Sequence, residues 1–304
     1  MVAKIQSIII KRCKMTKTIN VSITNIPSIS AIYYALLQSG YDYYAIGRTQ
    51  EQIEAVKSFY KPELSSCFFS QAKQNTCEAY SYWPRAALLE TAVFYMDADL
   101  AQFSDFESYK AFVMTASNLQ DIERDGNFWS WIADFPKELN KVINSESFNR
   151  YLIWENTWIE EQNKANTENL KTFQEIIKTC ISHYNAKISN IKIALSPIKC
   201  AYSSDYHFVY GQFIFSSGQF SIDSVIHEFL HQIVHPHVCK NQNIILVNKK
   251  VFDCIDSSYY LSNSENGRFN AFEEYLVKSL TRDFINKTPP DDLDKYIVSL
   301  LNEV

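Results

Sequence analysis

Residues 227–231 read His-Glu-Phe-Leu-His, and these five positions constrain the fold more than any others. In an α-helix, positions i and i+4 lie one turn apart on a single face. Two imidazoles so placed can share one metal ion, and the carboxylate of Glu228 can deprotonate a water held by that ion. Only 6 of the 304 residues are histidine, so two of them framing a glutamate at this spacing is a specific signal. The stretch from Ser221 to Pro236 reads as one helix, with Ser221 or Asp223 as N-cap and Pro236 ending it at His235. Ile222, Ile226, Phe229, Leu230 and Ile233 form an apolar stripe, and His227, Glu228 and His231 fall off its centre. The fold must therefore bury one flank of this helix and open the other to a cleft.

A catalytic zinc takes three protein ligands and keeps one position for water. His235 continues the ladder, but on a straight helix its backbone lies about 12 Å from that of His227, too far for bonds of about 2 Å to one ion. His237 stands ten residues after His227, the metzincin spacing. However, Val234 occupies the position of that pattern's glycine, and no methionine follows Met114 to form its Met-turn. Cys239 is a soft donor beyond the expected helix end. The remaining source is a later helix, Arg268 to Phe284, whose apolar face is Phe272, Leu276, Val277, Leu280 and Phe284. Glu273 falls near the middle of that face and Glu274 on its flank. Because the first helix carries its ligands on a flank, Glu274 is the expected third ligand, with Glu273 and His237 as alternatives.

This arrangement resembles the gluzincins, in which a His-Glu-x-x-His helix is completed by a later glutamate. It is similar in particular to a largely uncharacterised family of peptidase-like proteins. Their His-Glu-Phe-x-His segment runs on to a polar residue and Pro, here His235-Pro236. A later Glu-x-Leu-Val-Arg-Ala-like stretch reads here Glu274-Tyr-Leu-Val-Lys-Ser279, with Lys278 for Arg and Ser279 for Ala. Weaker similarity covers Ile19-Asn-Val-Ser-Ile-Thr24 and Gly40-Tyr-Asp. The resemblance implies a zincin fold and peptidase-type chemistry, and it too favours Glu274 as ligand.

The expected fold class is α+β: mostly helical, with a small zincin-type mixed sheet and an active-site helix. Residues 1–16 read as a flexible leader, 17–154 as a mainly helical N-terminal half and 155–304 as a zincin-like catalytic half. Helices are expected over Ser28–Gln38, Thr49–Tyr60 and Thr157–Asn185, the last as one long rod. Ile19–Thr24, Ile188–Ser196 and Phe208–Phe215 read as strands, the last as the edge strand nearest the cleft, able to pair with an extended peptide. The aromatic segment Phe128–Phe135 reads as core packing.

A formal charge of −5 gives no general attraction to nucleic acid. No apolar run is long enough to cross a membrane, and Ile8-Ile-Ile10 is too short for a signal-peptide core. Seven cysteines, an odd number without a Cys-x-x-Cys pair, agree with reduced thiols in a cytoplasmic protein. The expected activity is zinc-dependent hydrolysis of a peptide or amide, one zinc per chain, on a peptide or protein substrate. Glu228 is the general base, and His227, His231 and Glu274 are the ligands. Donors to the oxyanion are open among His235, His237, Tyr259, Tyr260 and Tyr275. Acceptors fixing the histidine tautomers are expected at Asp223 and Asp256. The alternatives are a zinc-binding peptide-binding protein that does not hydrolyse, and a metal-free module working through the aromatic region.

Overall fold

A four-stranded sheet whose inner strands are largely buried lies in the computed structural model, which describes residues 21–41, 47–60, 67–72, 86–118, 126–188, 190–209, 211–248 and 265–303. The leader, Tyr259, Tyr260 and Asp256 lie outside the described residues. The strands are β1 (Ile23–Thr24), β2 (Asn190–Leu195), β3 (Ser204–Val209) and β4 (Gln212–Ser217), in the order β1-β2-β4-β3. β1 runs parallel to β2, β2 parallel to β4, and β3 antiparallel to β4. The protein is α+β, mostly helical with a small mixed sheet. Parallel pairing of β1 with β2 requires a crossover, and here it is the helical part of the chain. Asn163 fastens β1 from a neighbouring helix: its amide donates to the Ile23 carbonyl at 2.7 Å, and its side-chain oxygen accepts the Ile23 N–H at 3.0 Å.

The crossover contains α1 (Pro27–Gln38), α2 (Gln50–Lys57), α3 (Cys67–Ser70), α4 (Ala87–Val93), α5 (Phe106–Asn118), α6 (Gly126–Ala133), α7 (Phe135–Ile143), α8 (Glu146–Ala165) and α9 (Thr167–Tyr184). The rod expected over Thr157–Asn185 is two helices, broken at Asn166, whose φ of −106° and ψ of 17° leave the helical region. The aromatic segment is core: Phe128, Trp131 and Phe135 are buried, and Trp131 stacks on Phe68 at 4.4 Å between centroids.

The apolar run Phe208–Phe215 is not one strand. It folds back as the β3–β4 hairpin, with Phe208 opposite Phe213 and Val209 opposite Gln212. Gly211, at φ +76°, supplies the left-handed conformation the turn needs. The edge strand is therefore β3.

β3 has two unlike faces. Asp205 and His207 point into a buried ionic cluster against the helical part, whereas Tyr206 points the other way. Lys199 donates to Glu90 at 2.8 Å, Asp205 at 2.6 Å and Ser216 at 3.1 Å. The second Glu90 oxygen lies 2.8 Å from His207 Nε2, and Tyr33 donates its hydroxyl to the first. Thr91 lies 3.1 Å from His207 Nδ1. A buried charge is costly unless paired; every ionic member of this cluster has an opposite partner.

The opposite face of the sheet packs on α10 (Ile222–Lys240), α11 (Gln242–Val247), α12 (Glu265–Ile285) and α13 (Leu293–Glu303). Ile193, Phe213, Phe215, Ile226, Phe229, Phe272 and Leu276 share this core. Among the described residues, no helix is long and apolar enough to cross a membrane.

Candidate metal centre

The Ser221 hydroxyl accepts the Ser224 N–H and caps α10 as expected. Pro236 does not end the helix, which continues to Lys240. Proline lacks one N–H, so it removes one backbone bond, but packing on α12 and α13 carries the helix through. Ile226, Phe229, Leu230 and Ile233 are buried along the expected stripe. This leaves His227 and Glu228 half-buried and His231 nearly buried at the rim of the helix pair.

α12 crosses α10 so that Glu274 meets both histidines. Its Oε2 lies 3.2 Å from His227 Nε2, its Oε1 3.3 Å from His231 Nε2, and the two Nε2 atoms are 3.3 Å apart. A tetrahedral ion with bonds of about 2.1 Å spaces its ligand atoms by about 3.4 Å. The closest contacts match that spacing, made through the two different oxygens of Glu274, and with one ligand atom from each residue the three lie within 4.8 Å of one another; imidazole with carboxylate is a donor set that suits zinc. His227, His231 and Glu274 are the only group of three such donors among the described residues.

Glu273 has a different role from its neighbour. About 100° further round the helix, it is buried, and its two oxygens lie 2.8 Å from Nδ1 of His231 and 2.8 Å from Nδ1 of His235. Accepting the Nδ1–H of His231 turns its Nε2 toward Glu274 and His227, where a bound metal would take the place of the Nε2 proton. Glu273 thus lies behind the imidazole as its acceptor, outside the group of His227, His231 and Glu274. This is the role expected of Asp223, which is instead exposed on the first turn of α10.

Three carboxylates, Glu228, Glu273 and Glu274, surround this pair of imidazoles. Burial works against a charged His231, but the hydrogen bonds it donates to Glu273 and Glu274 and the charges of Glu274 and Glu228 outweigh it and push its pKa up to about 10. Burial likewise opposes a charged Glu274, yet His227 and His231 hold it far below the usual carboxylate range. Without a metal, the site therefore holds a proton in the place where a cation fits.

Tyr206 reaches the centre from β3. Its ring stacks on His231, centroids 5.5 Å apart and planes 10° from parallel. Burial, then the charges of Glu273, Glu228 and Glu274, push its phenol well above the usual range. It therefore stays a neutral hydroxyl beside the carboxylates.

The other expected residues fall outside this constellation. His237 Nδ1 lies 2.9 Å from Asp294 on α13, which also takes Lys240 and the Asn241 amide, so His237 ties two helices together. Tyr275 is 45% exposed, and His235 is turned to Glu273. Of the residues now seen at the centre, the bridging role of Glu273 is implicit in the Glu273-Glu274 pair, whereas nothing in sequence links Tyr206 to His231.

Comparison of the chain with protein-family models, with curated proteins and with solved structures gives no match. The functional reading therefore rests on this geometry.

Proposed function

We propose that this protein is a zinc-dependent, peptidase-like hydrolase of the gluzincin type, cleaving a peptide or amide bond. The observation that carries the reading is the convergence of His227, His231 and Glu274 from two helices at coordination spacing, with Glu228 beside the first histidine. A zinc ion bound there supplies Lewis acidity toward a water and a substrate carbonyl. Glu228 takes the proton from the attacking water and passes it to the leaving amine. Glu273 fixes the tautomer of His231, and Tyr206 covers its ring. The outer edge of β3 provides main-chain groups that an extended peptide can pair with. The four described cysteines are free thiols, which fits a reducing, cytoplasmic setting.

The test is zinc content by elemental mass spectrometry on untagged protein, together with cleavage of a quenched-fluorescent peptide library. About one zinc per chain fewer in His231→Ala than in the wild type, and cleavage lost in Glu228→Gln with zinc retained, are the expected results. Zinc binding without cleavage by the wild type would leave a zinc-binding, non-hydrolytic protein. No zinc after reconstitution would remove the hydrolase reading.

A further inference from the structure

We propose that His235 and Cys239 form a second, exposed metal site on α10, selective for zinc and softer divalent ions. The site does not depend on hydrolysis at the first centre. Because α10 continues through Pro236, His235 and Cys239 stand one turn apart on one face, as do His227 and His231. His235 Nε2 lies 3.4 Å from Cys239 Sγ. A tetrahedral ion with a nitrogen bond of about 2.1 Å and a sulfur bond of about 2.3 Å separates those atoms by about 3.6 Å, so the pair is close to chelating distance already.

Glu273 supplies the second argument. Its Oε2 receives Nδ1 of His235 just as Oε1 receives Nδ1 of His231. A carboxylate on Nδ1 selects the tautomer whose Nε2 carries the lone pair. Glu273 thus presents two imidazoles for coordination, one inward to the triad and one outward to Sγ. The outward site is accessible: the His235 side chain is 58% exposed, and Cys239 is exposed. Cys239 lies eight residues beyond His231, about 12 Å along the helix, so it cannot ligate the first ion.

On binding, the thiol S–H bond breaks and its proton passes to solvent. The Sγ–Nε2 hydrogen bond is replaced by one metal–sulfur and one metal–nitrogen bond, and water completes the sphere. Thiolate with imidazole favours zinc, cadmium and cobalt over magnesium and calcium.

Cobalt(II) titration of the reduced, metal-stripped full chain tests this. The first centre contains no sulfur, so a near-ultraviolet sulfur-to-cobalt charge-transfer band reports only on a thiolate site. The band should appear in the wild type and persist in His227→Ala. It should fall to background in Cys239→Ser and His235→Ala, while Cys239→Ser keeps the visible cobalt spectrum of the first centre. Absence of the band in the wild type, or a band of equal strength in Cys239→Ser, overturns the proposal. Loss of the visible spectrum of the first centre in His227→Ala, with the band retained, supports it.

Discussion

Replacing Glu273 with glutamine keeps the side chain's shape and removes its charge. In the structure this carboxylate holds both His231 and His235 at 2.8 Å. A glutamine has a single acceptor oxygen, so it can satisfy one imidazole Nδ1–H and must present N–H groups to the other. His231 then loses either its fixed tautomer or the carboxylate that raises its basicity. Loss of such an outer acceptor weakens metal binding by about 10- to 100-fold, equivalent to about 1.4–2.7 kcal/mol. Glu274→Ala removes a direct ligand and should cost more. Zinc affinities of the wild type, Glu273→Gln and Glu274→Ala, each in a Cys239→Ser background and measured by competition with a chromogenic chelator at one pH, separate the two roles. An affinity in Glu273→Gln equal to the wild type would refute the bridging argument. A larger loss there than in Glu274→Ala would make Glu273 the ligand.

Glu228→Gln should retain zinc and lower kcat by about 10²- to 10⁴-fold, measured on whichever peptide the library identifies. Lys199→Met strands Glu90 and Asp205 in the core, and urea unfolding should show a loss of about 3–5 kcal/mol; a loss under 1 kcal/mol would mean that the cluster is not closed to water. In metal-free protein, His231 holds its proton up to about 10, against about 6.5 unfolded. Its stabilisation is therefore complete below about pH 6.5 and lost as the pH rises toward about 10. Urea midpoints in chelator should fall over that window, and fall less in His231→Ala. Gly218→Ala places a Cβ 2.3 Å from the Lys199 carbonyl and should lower the melting temperature, whereas Gly126→Ala, which meets nothing within 4 Å, should not.

The catalytic-type helix was legible because its signal is local: a cap, an apolar stripe and two histidines at helical spacing. Its end was not, because Pro236 weakens a helix locally while packing on α12 and α13 lies far away in sequence. The hairpin was hidden because the apolar triplets on either side of Gly211-Gln212 read together as one strand, and Gly211 was the available sign of a turn. Glu274 was reachable from its position on a flank, but the acceptor behind His231 depends on how two helices cross. The Glu90–Lys199–Asp205–His207 cluster was illegible for a different reason. Charged residues read singly belong at the surface, and only the fold brings opposite charges together.

The two-faced character of β3 has a consequence for how the chain reaches its native state. Side chains alternate along a strand, so a slip of one residue turns each to the other face. In β3 that error would send Tyr206 among Lys199 and Glu90, and would bring Asp205 and His207 to His231. Both sides of the sheet would reject the same mistake, one by desolvated charge and the other by lost stacking. Accuracy of pairing is thus checked twice on the six residues that border the metal centre, and a misaligned hairpin cannot persist as a near-native competitor.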